Sequence, residues 1–447
     1  MKQSHIIIAA IAAISIGSCK SKLKPETPSA GDANFATYVS IGNSLTSGFA
    51  DGSLYRSGQI NSYPNMLATQ FQSVGGGAFK QPLLPGESGW PINITAGYDP
   101  KLVLGYTTTN GVTTLGPVLY GGNGGQYDTA GSSTNISSQG PFNNVGIPGI
   151  RCIDFMFPGY GALNPYAGRF FSNPSTQRPL DVALLPVPTF FTMWLGANDV
   201  LGYATGGGTG ANGGIAIGDI SPVSVFKATY DATVAAIAAT GAKGILINIP
   251  DVTTIPFFTT VPAKGLALTR QGQVDSLNLA YTPLGITFTL GANYFIMADS
   301  SAPGGLRQMT DADYICLTIP LDQVKTQGLG SVTPIPDQYV LDKTEVANVK
   351  TATTAFNQII ADDANQYHLG LVDANTYLRT LQSGITWNGV TYTPTFVTGG
   401  AFSLDGVHLT PRGYALVANE IIRVINQTYH STVPQVDVNS HNGVLFP

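Results

Sequence analysis

The sequence predicts an α/β fold, a three-layer α/β/α sandwich with a central parallel sheet and long irregular insertions. Three observations carry that prediction. Short apolar segments of strand length alternate with amphipathic helical ones, the pattern of a parallel sheet covered on both faces. Two of the apolar runs stop at a glycine and hand over to polar residues: Ile41 to Gly42-Asn43-Ser44, and Leu195 to Gly196-Ala197-Asn198-Asp199. In open parallel sheets the binding crevice lies at the carboxyl ends of the strands, so polar residues there are candidates for chemistry. Finally, 53 glycines and 29 prolines among 447 residues demand many turns and long loops.

Taken in order, Tyr38–Ile41 reads as the first strand, and the segment after Ser44 leads to a helix over Tyr63–Phe71. Gly75 to Gly140 lacks helical periodicity and reads as a long insertion with loops and short strands. Order returns at Phe142–Ile153, and Thr189–Leu195 reads as a strand. Ser221-Pro222 pairs a capping residue with a proline at the first helical position, and Gly241 ends that helix. Gly244–Ile249 is a buried strand closed by Pro250. A second irregular stretch fills Thr253 to Tyr339. Asp342–Tyr367 is helical, with Val346, Val349, Phe356 and Ile360 on one stripe. Leu369–Asp373 is a further strand, and Thr410-Pro411 caps a last helix through Asn426.

Composition narrows the function. A hydrophobic fraction of 43% suits a globular core, while 11% charged residues is well under the usual share of about 25%. A net charge of −5 without basic clusters argues against a nucleic-acid partner. At the start, Lys2 precedes an apolar run, Ile6–Ile16, too short to span a bilayer as a helix. It ends in Ile16-Gly17-Ser18-Cys19, which resembles a bacterial lipoprotein box. That resemblance implies a signal peptide over residues 1–19, acylation of Cys19, and a membrane-anchored protein of the bacterial cell envelope. Residues 20–34 then read as a flexible tether, 35–430 as the folded domain, and 431–447 as a tail. Later segments offer no eighteen uninterrupted apolar residues, so the lipid would be the membrane anchor. Cys152 and Cys316 remain, and their pairing is left open by the sequence. Five scattered histidines without H-E-x-x-H or C-x-x-C spacing imply no metal. A glycine run, Gly208 to Gly213, satisfies G-x-G-x-x-G but follows no clear strand and opens no helix, so it reads as a loop beside the site.

Ester cleavage by a serine requires a base for its proton, a carboxylate to orient the base, and donors for the oxyanion. Asp405 and His408, in D-G-V-H, stand three apart and fit on one turn. Ser44 stands in I-G-N-S-L, Asn198 in G-A-N-D, and Gly149 in N-V-G-I-P-G. Together these stretches resemble the SGNH, or GDSL-type, serine hydrolase family, whose four signature positions fall on Ser44, Gly149, Asn198 and His408. The resemblance implies a flavodoxin-like core. It makes Ser44 the nucleophile, His408 the base and Asp405 its orienting partner, with Ser44 N–H, Gly149 N–H and Asn198 as the oxyanion hole. It implies ester substrates, an acylated glycan or lipid among them, and no cofactor. The family usually carries aspartate before the serine, where this chain has Asn43; an amide keeps hydrogen bonding but loses charge. The rival reading is a surface lipoprotein that kept the fold for binding and lost catalysis.

Overall fold

A computed structural model describes residues 27–90, 100–109, 111–121 and 132–446. Cys19, the expected signal peptide and the first part of the expected tether lie outside the described residues.

Five strands form the central sheet: β1 (Tyr38–Gly42), β2 (Asn144–Gly146), β3 (Phe190–Trp194), β4 (Lys243–Ile247) and β5 (Gly370–Val372). Their spatial order is 2-1-3-4-5 and every neighbouring pair is parallel. Every residue of β1, β2 and β3 is buried. Covered on both faces, such strands read as continuous apolar runs rather than as alternation. The order reverses between β1 and β3, the switch point where a doubly wound sheet opens its crevice.

The helices that matter to the site are α1 (Ser44–Ser47), α2 (Tyr63–Gln72), α3 (Asn198–Thr205), α4 (Val223–Ala238), α5 (Lys343–Gln366) and α6 (Pro411–Tyr429). Helices α2 and α6 pack together in one outer layer; α5 packs on α4 and α3 in the other. Alternation along β3 sends Phe190 edge-on to Phe71 and Tyr429, and Trp194 edge-on to Tyr63. The second layer is tied by Phe226 stacked on Phe356, ring centroids 4.0 Å apart. Such a pair adds about 0.5–1.5 kcal/mol beyond its buried area. Thr410 caps α6 as expected, its Oγ1 accepting from Gly413 N at 3.1 Å. The helix runs past Asn426 to Tyr429, because Ile422, Val424, Ile425 and Tyr429 keep the buried stripe going.

The stretches expected to be irregular contain more order than periodicity reveals. Residues 75–140 hold a hairpin, Leu102–Thr109 paired antiparallel with Val112–Leu119. Residues 253–339 hold the helix Gln271–Tyr281 and two two-stranded ladders, and they supply nearly all of two small apolar clusters. The described part of the expected tether and the segment after 430 are both fastened to the domain. Asp32 N donates to Tyr429 O at 2.7 Å and Thr432 N to Ser29 O at 2.9 Å, so folding begins inside the expected tether. Beyond 430, Val433, Val436 and Val438 are buried, and Asn419 bonds Val436 through both its N–H and its C=O. Cys152 and Cys316 are both free and buried. Among the described residues no helix is long and apolar enough to cross a membrane.

Candidate active site

The sheet brings the singled-out residues to one edge. In register, Gly42 of β1 faces Gly146 of β2 on one side and Trp194 of β3 on the other. Ser44, Gly149 and Asn198 follow those three residues by two, three and four positions, so all leave the carboxyl ends of adjacent strands. Asn43 turns the chain from strand to helix, its Oδ1 accepting from Leu45 N at 3.0 Å, and Ser44 is the first residue of α1.

His408 reaches Ser44 from the far end of the chain. Its Nε2 lies 2.8 Å from Ser44 Oγ, and its Nδ1 lies 2.8 Å from Asp405 Oδ2. A carboxylate on Nδ1 fixes the tautomer with a proton there, leaving Nε2 to accept from the serine hydroxyl. Ser44 is only 5% exposed and His408 8%, so the pair is enclosed rather than displayed. Phe49 backs the imidazole, ring centroids 4.7 Å apart.

Asp405 is held from several sides. Oδ1 accepts from the backbone N–H of His408 and Val407 at 2.8 and 2.9 Å and from Ser403 Oγ at 3.1 Å. Oδ2 accepts from Gly52 N at 2.9 Å besides the imidazole. Burial alone would raise this carboxyl; the His408 charge and these hydrogen bonds outweigh it and hold Asp405 well below the usual carboxylate range.

The second half of the site is a set of donors. Neither the Ser44 nor the Gly149 backbone N–H has a partner among the described residues. Asn198 gives one Nδ2 hydrogen to Ile150 O at 2.9 Å, which orients the amide and leaves its second hydrogen for another acceptor. The two glycines of N-V-G-I-P-G serve different ends. A Cβ on Gly146 would stand 2.3 Å from Ser47 N, so it is the close approach of α1 that requires glycine there. Gly149 needs glycine because its φ is +82°; a Cβ there would meet only the Asn164 side chain at 3.9 Å, an ordinary contact.

Three residues that matter were not singled out by sequence. Asp51 accepts from Leu404 N at 3.0 Å and Tyr55 Oη at 2.7 Å, while its own N–H donates to Ser403 Oγ at 2.9 Å, tying the serine turn to the histidine loop. Its place seven residues after Ser44 in the same polar motif was the available signal. Asp199 follows Asn198 in G-A-N-D, where an acidic residue reads as a cap for the next segment. It instead sits in the first turn of α3 and accepts from Cys152 N at 2.6 Å, bracing the loop after Gly149. Burial pushes its carboxyl up to about 7. Arg151, with no motif to mark it, grips Asp154 and two carbonyls of the glycine-rich loop.

No protein-family model and no curated protein matches the sequence. Solved structures do. A GDSL-like lipase from Parabacteroides merdae aligns over 89% of this chain and 99% of its own, at 10% identity and a TM-score of 0.34. An extracellular lipase from Streptomyces rimosus aligns over 88% of this chain and 98% of its own, at 12% identity and a TM-score of 0.33.

Proposed function

We propose that the protein is a serine hydrolase cleaving carboxylic esters through an acyl-enzyme, with Ser44 as nucleophile, His408 as base and Asp405 as its orienting partner. The observation that supports this reading most is the unbroken chain from Ser44 Oγ through His408 to Asp405, 2.8 Å at both imidazole links. In the reaction, Ser44 Oγ bonds to the ester carbonyl carbon as its proton passes to His408 Nε2. The carbonyl π pair moves onto oxygen, where the Ser44 N–H, Gly149 N–H and the remaining Asn198 hydrogen act as donors. Collapse breaks the bond to the alcohol oxygen, which takes the proton from His408. Water then repeats the sequence on the acyl-enzyme, releasing a carboxylic acid and restoring Ser44. Asp405 stays ionised and stabilises the imidazolium in both halves. We further propose that this chemistry operates at the bacterial cell envelope, with lipid on Cys19 as the anchor.

A fluorophosphonate probe tests the assignment directly. The probe is expected to label the wild type on the peptide carrying Ser44, and to leave folded Ser44→Ala unlabelled and inert towards p-nitrophenyl butyrate. Labelling on another serine, or turnover by the variant, would remove Ser44 from the role.

A further inference from the structure

Beside Gly149 the surface opens into a mostly apolar cavity of about 530 Å³, within the size range of ligand sites. Gly149 forms part of its wall, together with Phe157, Tyr160, Leu163, Ile215 and Ile217. Several of these are conspicuous in solvent: Leu163 is 71% exposed, Ile215 71% and Ile217 85%. Single exposed apolar residues are ordinary, but a cluster lining one concavity marks a binding surface.

The wall is built, not incidental. Ile215 and Ile217 belong to the glycine-rich loop after α3, and Arg151, itself 9% exposed, holds that loop by donating to the carbonyls of Ile215 and Ala216 at 2.7 and 2.9 Å. The same guanidinium pairs with Asp154 through two bonds, so the cation at the wall is neutralised. Asp219 closes the loop from within, accepting from Ala211 N and Ala216 N. On the opposite side Asn164 donates to Pro148 O at 2.9 Å, fixing the carbonyl just before Gly149.

From this arrangement we infer that the cavity receives the aliphatic acyl chain of the ester, and that the glycine-rich loop selects for chain length. The inference rests on the hydrolase reading above. Its direction follows from position. A carbonyl oxygen bound by the Gly149 N–H puts the acyl carbon at the cavity's rim. The alcohol must leave towards His408 Nε2 to collect its proton, and no described residue of the 403–410 loop lines the cavity. An acetyl group would leave most of this volume empty, whereas an eight-carbon chain, at roughly 30 Å³ for each water-sized group, takes up about 240 Å³ of it.

The test is a two-sided chain-length series. Full burial makes each methylene worth about fourfold, and in this open groove kcat/KM is expected to rise at least 100-fold in total from p-nitrophenyl acetate to octanoate. The series from methyl to octyl acetate, which lengthens the alcohol, should stay flat. Ile217→Asp and Leu163→Asp, both at exposed positions that tolerate charge, should each cut the octanoate-to-acetate ratio at least tenfold. A flat acyl series, a steeper alcohol series, or an unchanged ratio in both variants overturns the inference while leaving the hydrolase reading intact. If no ester is turned over, the hydrolase reading fails instead, and calorimetry decides the cavity alone. Octanoate binding to the intact protein, weakened at least tenfold by Ile217→Asp, supports it; absence of binding overturns it.

Discussion

Asp405, under the imidazole with 13% of its side chain exposed, and Asp199, fully buried behind the Gly149 loop, are both carboxylates largely withdrawn from water within reach of the same site, yet the withdrawal has opposite outcomes for them. Asp405 faces the His408 ring and several N–H and O–H donors, and stays ionised far below the usual range. Asp199 is pushed up to about 7 by burial, which the backbone N–H groups of Cys152 and Ile153 only partly offset, and it makes no ion pair among the described residues. Burial sets the penalty for charge; the partners decide whether charge survives it. The base side of the site is therefore electrostatically committed, whereas the donor side is held by a carboxyl that can stand neutral.

The sharpest way to break this comparison is to remove each charge in turn. Asp405→Asn should lower kcat by about 10⁴-fold, because the amide favours the wrong imidazole tautomer. Its circular dichroism spectrum should match the wild type. A loss below tenfold would mean that His408 is oriented without Asp405. On the donor side, Asn198→Ala should cost about 10²–10³-fold in kcat with little change in KM. A change confined to KM would mark Asn198 as a contact to bound substrate rather than to the oxyanion.

Asn43→Asp asks whether the serine turn would accept a third buried carboxylate. Asn43 is 2% exposed, and among the described residues its Oδ1 has the single Leu45 N–H as donor. The new charge should resemble Asp199 more than Asp405: a stability loss of about 1–3 kcal/mol without more than a few-fold rise in kcat. A more active and equally stable variant would refute this and favour the weakened-catalyst alternative.

The smallest expected effect is a slope. A carboxyl raised to about 7 in the fold keeps its proton where the unfolded chain, titrating near 4, has lost it. Folding therefore binds protons between about pH 4 and 7, and stability declines as pH rises through that window. Asp405, depressed in the fold, has the opposite sign: its contribution is present above about pH 4 and is lost on acidification. Asp199→Asn should flatten the fall in Tm from pH 4 to 7, with the acid-side loss unchanged. An identical slope in the variant would show that another group carries it.

The parallel core and the polar residues at its strand ends were legible because each rests on a local signal. An apolar run meeting Gly-Asn-Ser marks a strand end wherever it lies, and D-G-V-H fits one turn. What stayed hidden was set at long range. The hairpin at 102–119 is rich in glycine and threonine with little apolar alternation, so its pairing leaves a weak imprint. Asp199 and Asp51 take their roles from backbone N–H groups brought near by the fold, and no side-chain pattern encodes those. Arg151 looks like any surface cation until the glycine-rich loop is laid across it. The fastening of residues 27–34 and of the segment after 430 was hidden for the same reason: Asp32 and Val436 are held by α6, which lies far from one of them in sequence.

The hydrogen bond between Ser44 and His408 joins positions 364 residues apart. Closing so long a loop is slow compared with forming local helices, and it requires the first strand and the last helix to dock on one sheet. The proposed nucleophile emerges early in synthesis and meets its base only after nearly the whole polypeptide has been made. A truncated or half-collapsed chain thus carries a serine without the means to ionise it, and reactivity appears as a late product of assembly. On the hydrolase proposal, recovery of ester hydrolysis after denaturation would accordingly lag behind recovery of helical signal, making the proposed activity a reporter of completed folding.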